Sequence, residues 1–354
     1  MLKMLMYPYQ KQFNWVFEMM EKGLPVSVKA IGLEGDCRQT EYGERVCREI
    51  QFEQVLSEAD ILWILPTEIE LDFEKYIFPK VKSAVKNNKK ILCTRELESH
   101  EMEILKNTVP EKLWVKQEVR VPEYEKNNFI FDIDAPVVYV VGISRQINST
   151  EHLVKLQQEF ASEQYKTVIF SDAPEVLLFE NGYFLSMLKN NSLSNTERFI
   201  KMNHFIKQIE IQENPDLIIM GIMNGAVSLG MDIIEDFGID VYGAARTVRP
   251  DCVVANVFYG EYKKGMLEEI GKEIQRTMGE EVDFYNITNQ IMDSKESDML
   301  KRVSTIEVEK SMVHHLLGCL SQNDVFGLNS DKEYERLTVS IINKLSEYAD
   351  VISM

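Results

Sequence analysis

Residues 137–141 read Val-Val-Tyr-Val-Val, an unbroken run of β-branched and aromatic side chains that follows Pro136 and stops at Gly142. A strand that is apolar at every position buries both of its faces, which places it inside a mostly parallel sheet covered by helices on both sides. A polar loop follows, and after it residues 151–161 carry Leu153, Leu156 and Phe160 at helical spacing. Strand, glycine-led loop and helix in this order form the frame of a phosphate-binding loop, where backbone N–H groups and a helix N-terminus face an anion.

The chemistry of that frame is incomplete. A working loop reads G-x-x-x-x-G-K-[ST]. Gly142 and Ser149 or Thr150 fit the pattern, whereas Ile147 stands for the second glycine and Asn148 for the lysine. The lysine would carry the positive charge on the phosphates, and the strand expected at 217–220 would end on an acid that helps hold Mg²⁺. Gly221 occupies that place. Three departures, two in the loop and one at the end of another strand, predict a degenerate nucleotide site, with no metal and no resident cofactor, and at most a nucleotide held without firm Mg²⁺.

The residues expected to line such a site are Gly142, Ser144, Arg145, Asn148, Ser149 and Thr150 in the loop, with Asp172 beyond a strand at 167–170. Asn224 and Gly225 follow the strand at 217–220, and Arg246 and Arg249 lie between strands expected at 241–245 and 252–258. Arg145 is placed to supply the missing charge, and a pair of arginines beyond strand ends suits a phosphate or carboxylate.

The first 110 residues repeat the same rhythm without the loop. Short apolar runs at 4–7, 26–31, 61–65 and 91–94 alternate with helical spacing at 13–20 and 71–85. The turn after the first strand reads Tyr7-Pro8-Tyr9-Gln10 rather than G-x-G-x-x-G, so this half predicts a Rossmann-like wedge without a dinucleotide. A charged passage with Pro110 and Pro122 separates the halves, and 354 residues exceed what one core ordinarily serves. The expected organisation is an α/β domain over 1–118, a linker over 119–134, a degenerate P-loop-like domain over 135–295, and a helical extension over 296–354 with helices at 305–320 and 334–349. Both domains are read as doubly wound.

A formal net charge of -18 disfavours nucleic acid and anionic membrane surfaces as partners. Cys37, Cys47, Cys93, Cys252 and Cys319 are odd in number and form no C-x-x-C pair, which points to reduced thiols and a cytoplasmic setting. No run approaches the roughly 18 apolar residues of a membrane span, and no signal segment is expected. No Ser-His-Asp, H-E-x-x-H or G-x-S-x-G pattern occurs, and adjacent His314 and His315 point about 100° apart on a helix.

Several segments carry a resemblance: residues 202–210, Met-Asn-His-Phe-Ile-Lys-Gln-Ile-Glu; 214–222, Asn-Pro-Asp-Leu-Ile-Ile-Met-Gly-Ile; and 249–254, Arg-Pro-Asp-Cys-Val-Val. With Tyr7-Pro8-Tyr9 and residues 71–77, they make the chain similar to a clostridial-type family of peptide maturation system proteins. The resemblance implies an accessory or scaffold role beside a precursor peptide or a peptide-modifying enzyme in bacterial cytoplasm, and it brings no catalytic residues. The family's turn after the third strand resembles G-I-P-G-G, whereas residues 221–225 here read Gly-Ile-Met-Asn-Gly. The competing expectation is an enzyme, either a divergent nucleotide-dependent ligase or transferase, or a two-wedge glycosyltransferase using a sugar nucleotide.

Overall fold

The computed structural model describes residues 2–21, 26–33, 42–43, 45–67, 71–95, 97–115, 129–147, 149–190, 192–229, 233, 237–263, 265–320 and 323–352. The chain divides into two compact units, Met1–Glu118 and Val119–Met354.

The first unit runs β1 (Leu2–Tyr7), α1 (Asn14–Glu21), β2 (Val26–Gly32), β3 (Val46–Arg48), α2 (Phe52–Glu58), β4 (Ile61–Ile64), α3 (Phe78–Lys86), β5 (Lys90–Cys93) and α4 (Ser99–Thr108). Its sheet has the order β3-β2-β1-β4-β5 with every pair parallel, so the chain starts in the middle and winds outward both ways. The helical spacing at 71–85 resolves into a π-turn at Phe73–Ile77 that runs into α3, with Pro79 in the first turn of α3. Proline has no N–H to lose there. Tyr7 and Tyr9, at and just after the end of β1, are 0% and 2% exposed and belong to the core.

The second unit begins with β6 (Val137–Gly142), α5 (Thr150–Ser162), β7 (Thr167–Ser171), β8 (Gly182–Phe184) and α6 (Asn195–Glu213). It continues through β9 (Leu217–Ile222), α7 (Ile239–Thr247), β10 (Cys252–Val257), α8 (Met266–Met278) and β11 (Phe284–Ile287). The last elements are β12 (Gln290–Met292), α9 (Ser294–Leu300), β13 (Thr305–Glu307), α10 (Lys310–Leu320), β14 (Val325–Phe326) and α11 (Asp331–Ile352). Seven strands in the order β14-β11-β10-β6-β9-β7-β8 form one sheet whose pairs are all parallel.

β6 is buried along its whole length, as its composition demands. Its odd-numbered residues Val137, Tyr139 and Val141 pack in one cluster with Ile206 of α6, Val241 of α7 and Ile274 of α8. On β9, Gly221 lies against α5, where a Cβ would stand 2.3 Å from Leu153 Cδ1. The fold is therefore α/β and doubly wound in both units.

Two expectations are corrected. Residues 241–245 form α7 and not a strand: Val241, Ala244, Ala245 and Val248 face the core at helical spacing, and an apolar five-residue run fits either period. The helix expected over 305–320 begins only at Lys310, and the otherwise helical C-terminal segment also carries two short strands. Thr305–Glu307 pairs antiparallel with β12, β14 joins the main sheet beside β11, and α11 packs on α5 and β10.

A recurring device fixes the amino ends of the strands. An aspartate just before one strand accepts the N–H that starts a neighbour: Asp60 from Lys3, Asp216 from Lys166, Asp251 from Val137 and Asp283 from Val253, at 2.8–2.9 Å. The segment entering β6, read as linker as far as residue 134, is held from residue 129 onward by α6. Asn203 bonds both backbone groups of Phe131, His204 contacts Phe129 O, and Glu210 accepts from Asp134 N and Ala135 N at 2.6 and 2.7 Å.

Candidate functional site

From β6 the chain crosses by α5 toward β7, whereas from neighbouring β10 it crosses by α8 toward β11 on the other side. Adjacent strands whose connections leave in opposite directions open a crevice at their carboxyl ends, and in such sheets ligands bind there. The expected loop follows β6 at this point.

The loop is closed on itself. Gln146 N donates to Ser144 Oγ at 3.2 Å and Ile147 N to Ser144 O at 3.4 Å, within a 3-10 turn over Arg145–Ile147. Ser149 caps α5 by accepting from Glu151 N at 3.1 Å, and its carbonyl accepts from His152 N at 3.2 Å. A phosphate cradle needs these amides directed at the ligand. Ile147 is 3% exposed and belongs to the apolar core, in the place where a glycine would let backbone approach an anion. Asn148 lies outside the described residues.

Around the loop, polar side chains pair with one another. Thr150 donates its hydroxyl to Glu175 Oε1 at 3.0 Å. Burial pushes the Glu175 carboxyl above its ordinary range and the charge of Asp172 adds to this, while the Thr150 hydrogen bond and the charge of Arg145 pull it back. Asp172, 2% exposed at the end of β7, accepts from Met223 N at 2.7 Å and from Lys189 Nζ at 2.6 Å. Asn224 donates to Asp240 Oδ2 at 2.7 Å, Gly225 is buried beside it, and Ala226 N donates to Gly142 O at 2.8 Å.

The structure thus brings together Gly142, Ser144, Arg145, Ser149, Thr150, Asp172, Asn224 and Gly225 at the carboxyl ends of β6, β7 and β9. It leaves out the two arginines. Arg246 lies in the last turn of α7 over the Tyr242 ring and against Gly279, and Arg249 precedes β10, where its Nε bonds Glu280 at 2.7 Å. Both fall toward the amino ends of the strands, because residues 241–245 are helix and carry the chain back across the sheet. Gly221, read as a lost metal acid, is required by the approach of α5, and the acid at this end of the sheet comes from β7 instead.

Sequence reasoning missed Glu175 and Lys189, both on irregular segments, although Asp172-Ala173-Pro174-Glu175 directly follows a strand. It also missed a buried pair across β10 and β11, where Asn286 Nδ2 donates to Asn256 Oδ1 at 2.8 Å and Leu328 N donates to Asn286 Oδ1 at 2.9 Å. Ile143 N donates to Asn256 O, which ties this pair to the loop.

On the other flank of the switch point lies an open groove of about 570 Å³, lined by Ile143, Leu229, Phe237, Ile239, Tyr242 and Ile270, with Glu273 and Arg276 at its edge. Among the described residues no group of three or more His, Cys, Asp or Glu side chains is placed to hold a metal ion. Burial raises the Cys93 thiol to about 11 and raises Cys252 well above its usual value, which keeps both protonated and unreactive at neutral pH. No helix among the described residues is long and apolar enough to cross a membrane.

No family model matches the chain, and no curated protein matches it. Among solved structures it is similar to a DUF1611 family protein from Anabaena variabilis, with a TM-score of 0.62 at 10% identity over 98% of this chain and 100% of that one. A plasmid partition protein from Borrelia burgdorferi also aligns, with a TM-score of 0.34 at 11% identity over 60% of this chain and 100% of that one. The first likeness extends the two-unit α/β architecture over nearly the whole chain.

Proposed function

We propose that the chain is an accessory protein of a bacterial peptide maturation system, working in the cytoplasm, that binds a precursor peptide or its modifying enzyme and hydrolyses no nucleotide. The observation that carries the second half of this reading is the loop after β6. Ser144 and Ser149 take up its amides, Ile147 fills the glycine position, and Glu175 takes the Thr150 hydroxyl. Phosphoryl transfer depends on positioning and positive charge, so a loop without lysine whose amides are spent internally retains the frame and not the chemistry. The partner class comes from the resemblance of residues 202–210, 214–222 and 249–254.

Calorimetric titration with ATP, GTP and their Mg²⁺ complexes tests the nucleotide half: no saturable heat is expected. Micromolar binding with turnover abolished by Ser149→Ala would instead favour a nucleotide-dependent ligase or transferase, the reading to which the convergence of Thr150, Glu175, Asp172 and Lys189 lends support. Affinity capture by the full chain from a reconstituted gene cluster tests the partner half. Recovery of the precursor peptide or a modifying enzyme at low salt is expected, and recovery of neither overturns it.

A further inference from the structure

After β11 the chain leaves the main sheet and folds β12 and β13 into a separate antiparallel ribbon, with α9 between them in sequence. Val308 N donates to Asn289 O at 2.7 Å and Asp293 N to Ser304 O at 2.9 Å, so these two pairs are hydrogen-bonded ones. Bonded and non-bonded pairs alternate along an antiparallel ladder. Ile291 and Ile306 are therefore a bonded pair, and the backbone groups of Thr305 and Glu307 turn away from β12. On the β12 side the outward carbonyl of Gln290 is used, accepting from Tyr259 N at 2.7 Å. On the β13 side, among the described residues, no strand takes up the outward N–H and C=O groups.

The side chains around this edge follow the chain direction. Ile291 and Ile306 stand directly opposite each other and are 37% and 52% exposed, whereas Met292 and Thr305 on the other face are half-buried. The chain enters β13 through Met299, Leu300, Lys301 and Arg302, all exposed, and leaves it through Glu307, Glu309 and Met312, also exposed. Among the described residues Lys301 and Arg302 have no ion-pair partner, and Glu307 and Glu309 accept only from the neutral donors Asn289 at 2.8 Å and Ser311 at 3.2 Å. Asp298 and Lys310 each offset one charge, which leaves the entry positive and the exit negative. A free strand edge of this kind is a template for another strand, and proteins that are to stay single block it with charge or proline at its centre. The centre here is isoleucine.

We propose that the outer edge of β13 pairs with the same edge of a second copy of this chain, joining two ribbons into one four-stranded antiparallel sheet. A two-fold axis at Ile306 sets Thr305 of one copy opposite Glu307 of the other, so the outward backbone groups of both copies bond each other in register. Ile306 meets its own counterpart at the close, non-bonded position and extends the Ile291–Ile306 row across the junction, where β-branched side chains on one face stabilise neighbouring strands. Antiparallel pairing also lays the entry of one copy beside the exit of the other. Lys301 and Arg302 then face the Glu309 end of the second copy, and Met299 and Leu300 its Met312 end; a parallel contact would set like charges together. An edge that is complementary to itself under a two-fold axis is what an isologous contact requires.

The test is analytical ultracentrifugation of the full chain between about 1 and 100 micromolar, where a contact built on a short edge should give a reversible monomer–dimer equilibrium. Ile306→Lys sets two ammonium groups against each other at the closest pair of the junction and should weaken dimerisation at least about tenfold. Arg302→Glu and Glu309→Arg should each weaken it about threefold or more at low salt, and the two together should restore most of the loss. All three positions are exposed, and thermal unfolding like the parent's shows which variants are folded. If Ile306→Lys does not fold, the charge exchange decides alone. A chain that stays monomeric throughout, including one whose edge takes up a strand of another protein instead, overturns the proposal. So does a dimer that a folded Ile306→Lys leaves intact, or a double exchange that associates no better than the weaker single variant.

Discussion

At the amino ends of the second unit's strands, acidic side chains close backbone onto backbone; at the carboxyl ends, loops satisfy their own amides and leave an apolar groove alongside. Asp216, Asp251, Asp283 and Glu210 each accept a strand or strand-entry N–H, and three of the four lie in segments that carry the family resemblance. The difference teaches that those motif residues hold the sheet in register. A recurrent Pro-Asp before a strand is read most economically as a clasp that satisfies an otherwise orphaned donor.

The largest expected effect comes from removing a clasp that also holds a buried charge. Glu210 accepts two backbone N–H groups and pairs with Lys207 Nζ at 2.7 Å, and its side chain is 8% exposed. Glu210→Ala leaves both donors unpaired and strips Lys207 of one of its two acids. A loss of about 3 kcal/mol or more is expected in urea unfolding, with Glu210→Gln costing less because its amide oxygen still accepts. A midpoint unchanged in Glu210→Ala would refute the structural reading of the 202–210 motif.

A second effect is tied to pH and to the junction between α5 and α11. His152 Nδ1 and Tyr334 OH are 2.6 Å apart, and burial depresses the imidazole from 6.5 to about 4 against the opposing charge of Glu151, with Lys155 and Lys310 also lowering it. A base with a depressed folded pKa takes up its proton first in the unfolded chain. Between pH 6.5 and about 4 the unfolded state therefore binds more protons, and stability declines as pH falls through that window. At about 1.4 kcal/mol per decade the ceiling on this loss is about 3 kcal/mol. His152→Gln should flatten that part of the stability profile relative to the parent, and identical pH slopes would show that α11 does not bury this histidine in solution.

Gly221 separates packing from lost chemistry. With Leu153 Cδ1 2.3 Å from where a Cβ would stand, Gly221→Ala overpacks the interface of β9 with α5. A cost of about 1–3 kcal/mol is expected in thermal or urea unfolding, and a neutral result would restore the idea that the position lost a functional side chain.

These cases also mark what the sequence could carry. The parallel sheets were legible because β6 and β9 are apolar at every position and β10 at all but Asn256, a pattern that suits strands covered on both faces of an α/β sheet. β3 and β8 were not, since three residues are too few to show a period. Within the site, the loop and Asp172 could be placed because they adjoin strong strands. Glu175, Lys189 and the groove could not, because their meeting depends on irregular segments and on which way α7 faces. Val241-Tyr242-Gly243-Ala244-Ala245 satisfies strand and helix patterns alike, and reading it as a strand misplaced Arg246 and Arg249. Packing decided the matter: a Cβ on Gly243 would stand 2.1 Å from the Phe199 ring of α6, a closeness that a helix pressed against a helix produces.

Arg249 gives the smallest effect and the most direct check on the contrast between the two ends. Its side chain is 82% exposed, and its partner Glu280 lies 2.7 Å away on the surface beyond α8. Exposed pairs of this kind contribute about 0–1 kcal/mol, because solvent screens the attraction and two long side chains must be ordered to make it. Arg249→Ala should therefore leave unfolding within about 0.5 kcal/mol of the parent and leave titrations with ATP or GTP unchanged. A phosphate clamp would behave differently, since removing one bidentate arginine from an anion site lowers affinity and weakens its salt dependence. If Arg249→Ala abolished binding of an anionic ligand, the amino end of the sheet would carry function after all, and the division of labour between its two ends would fail.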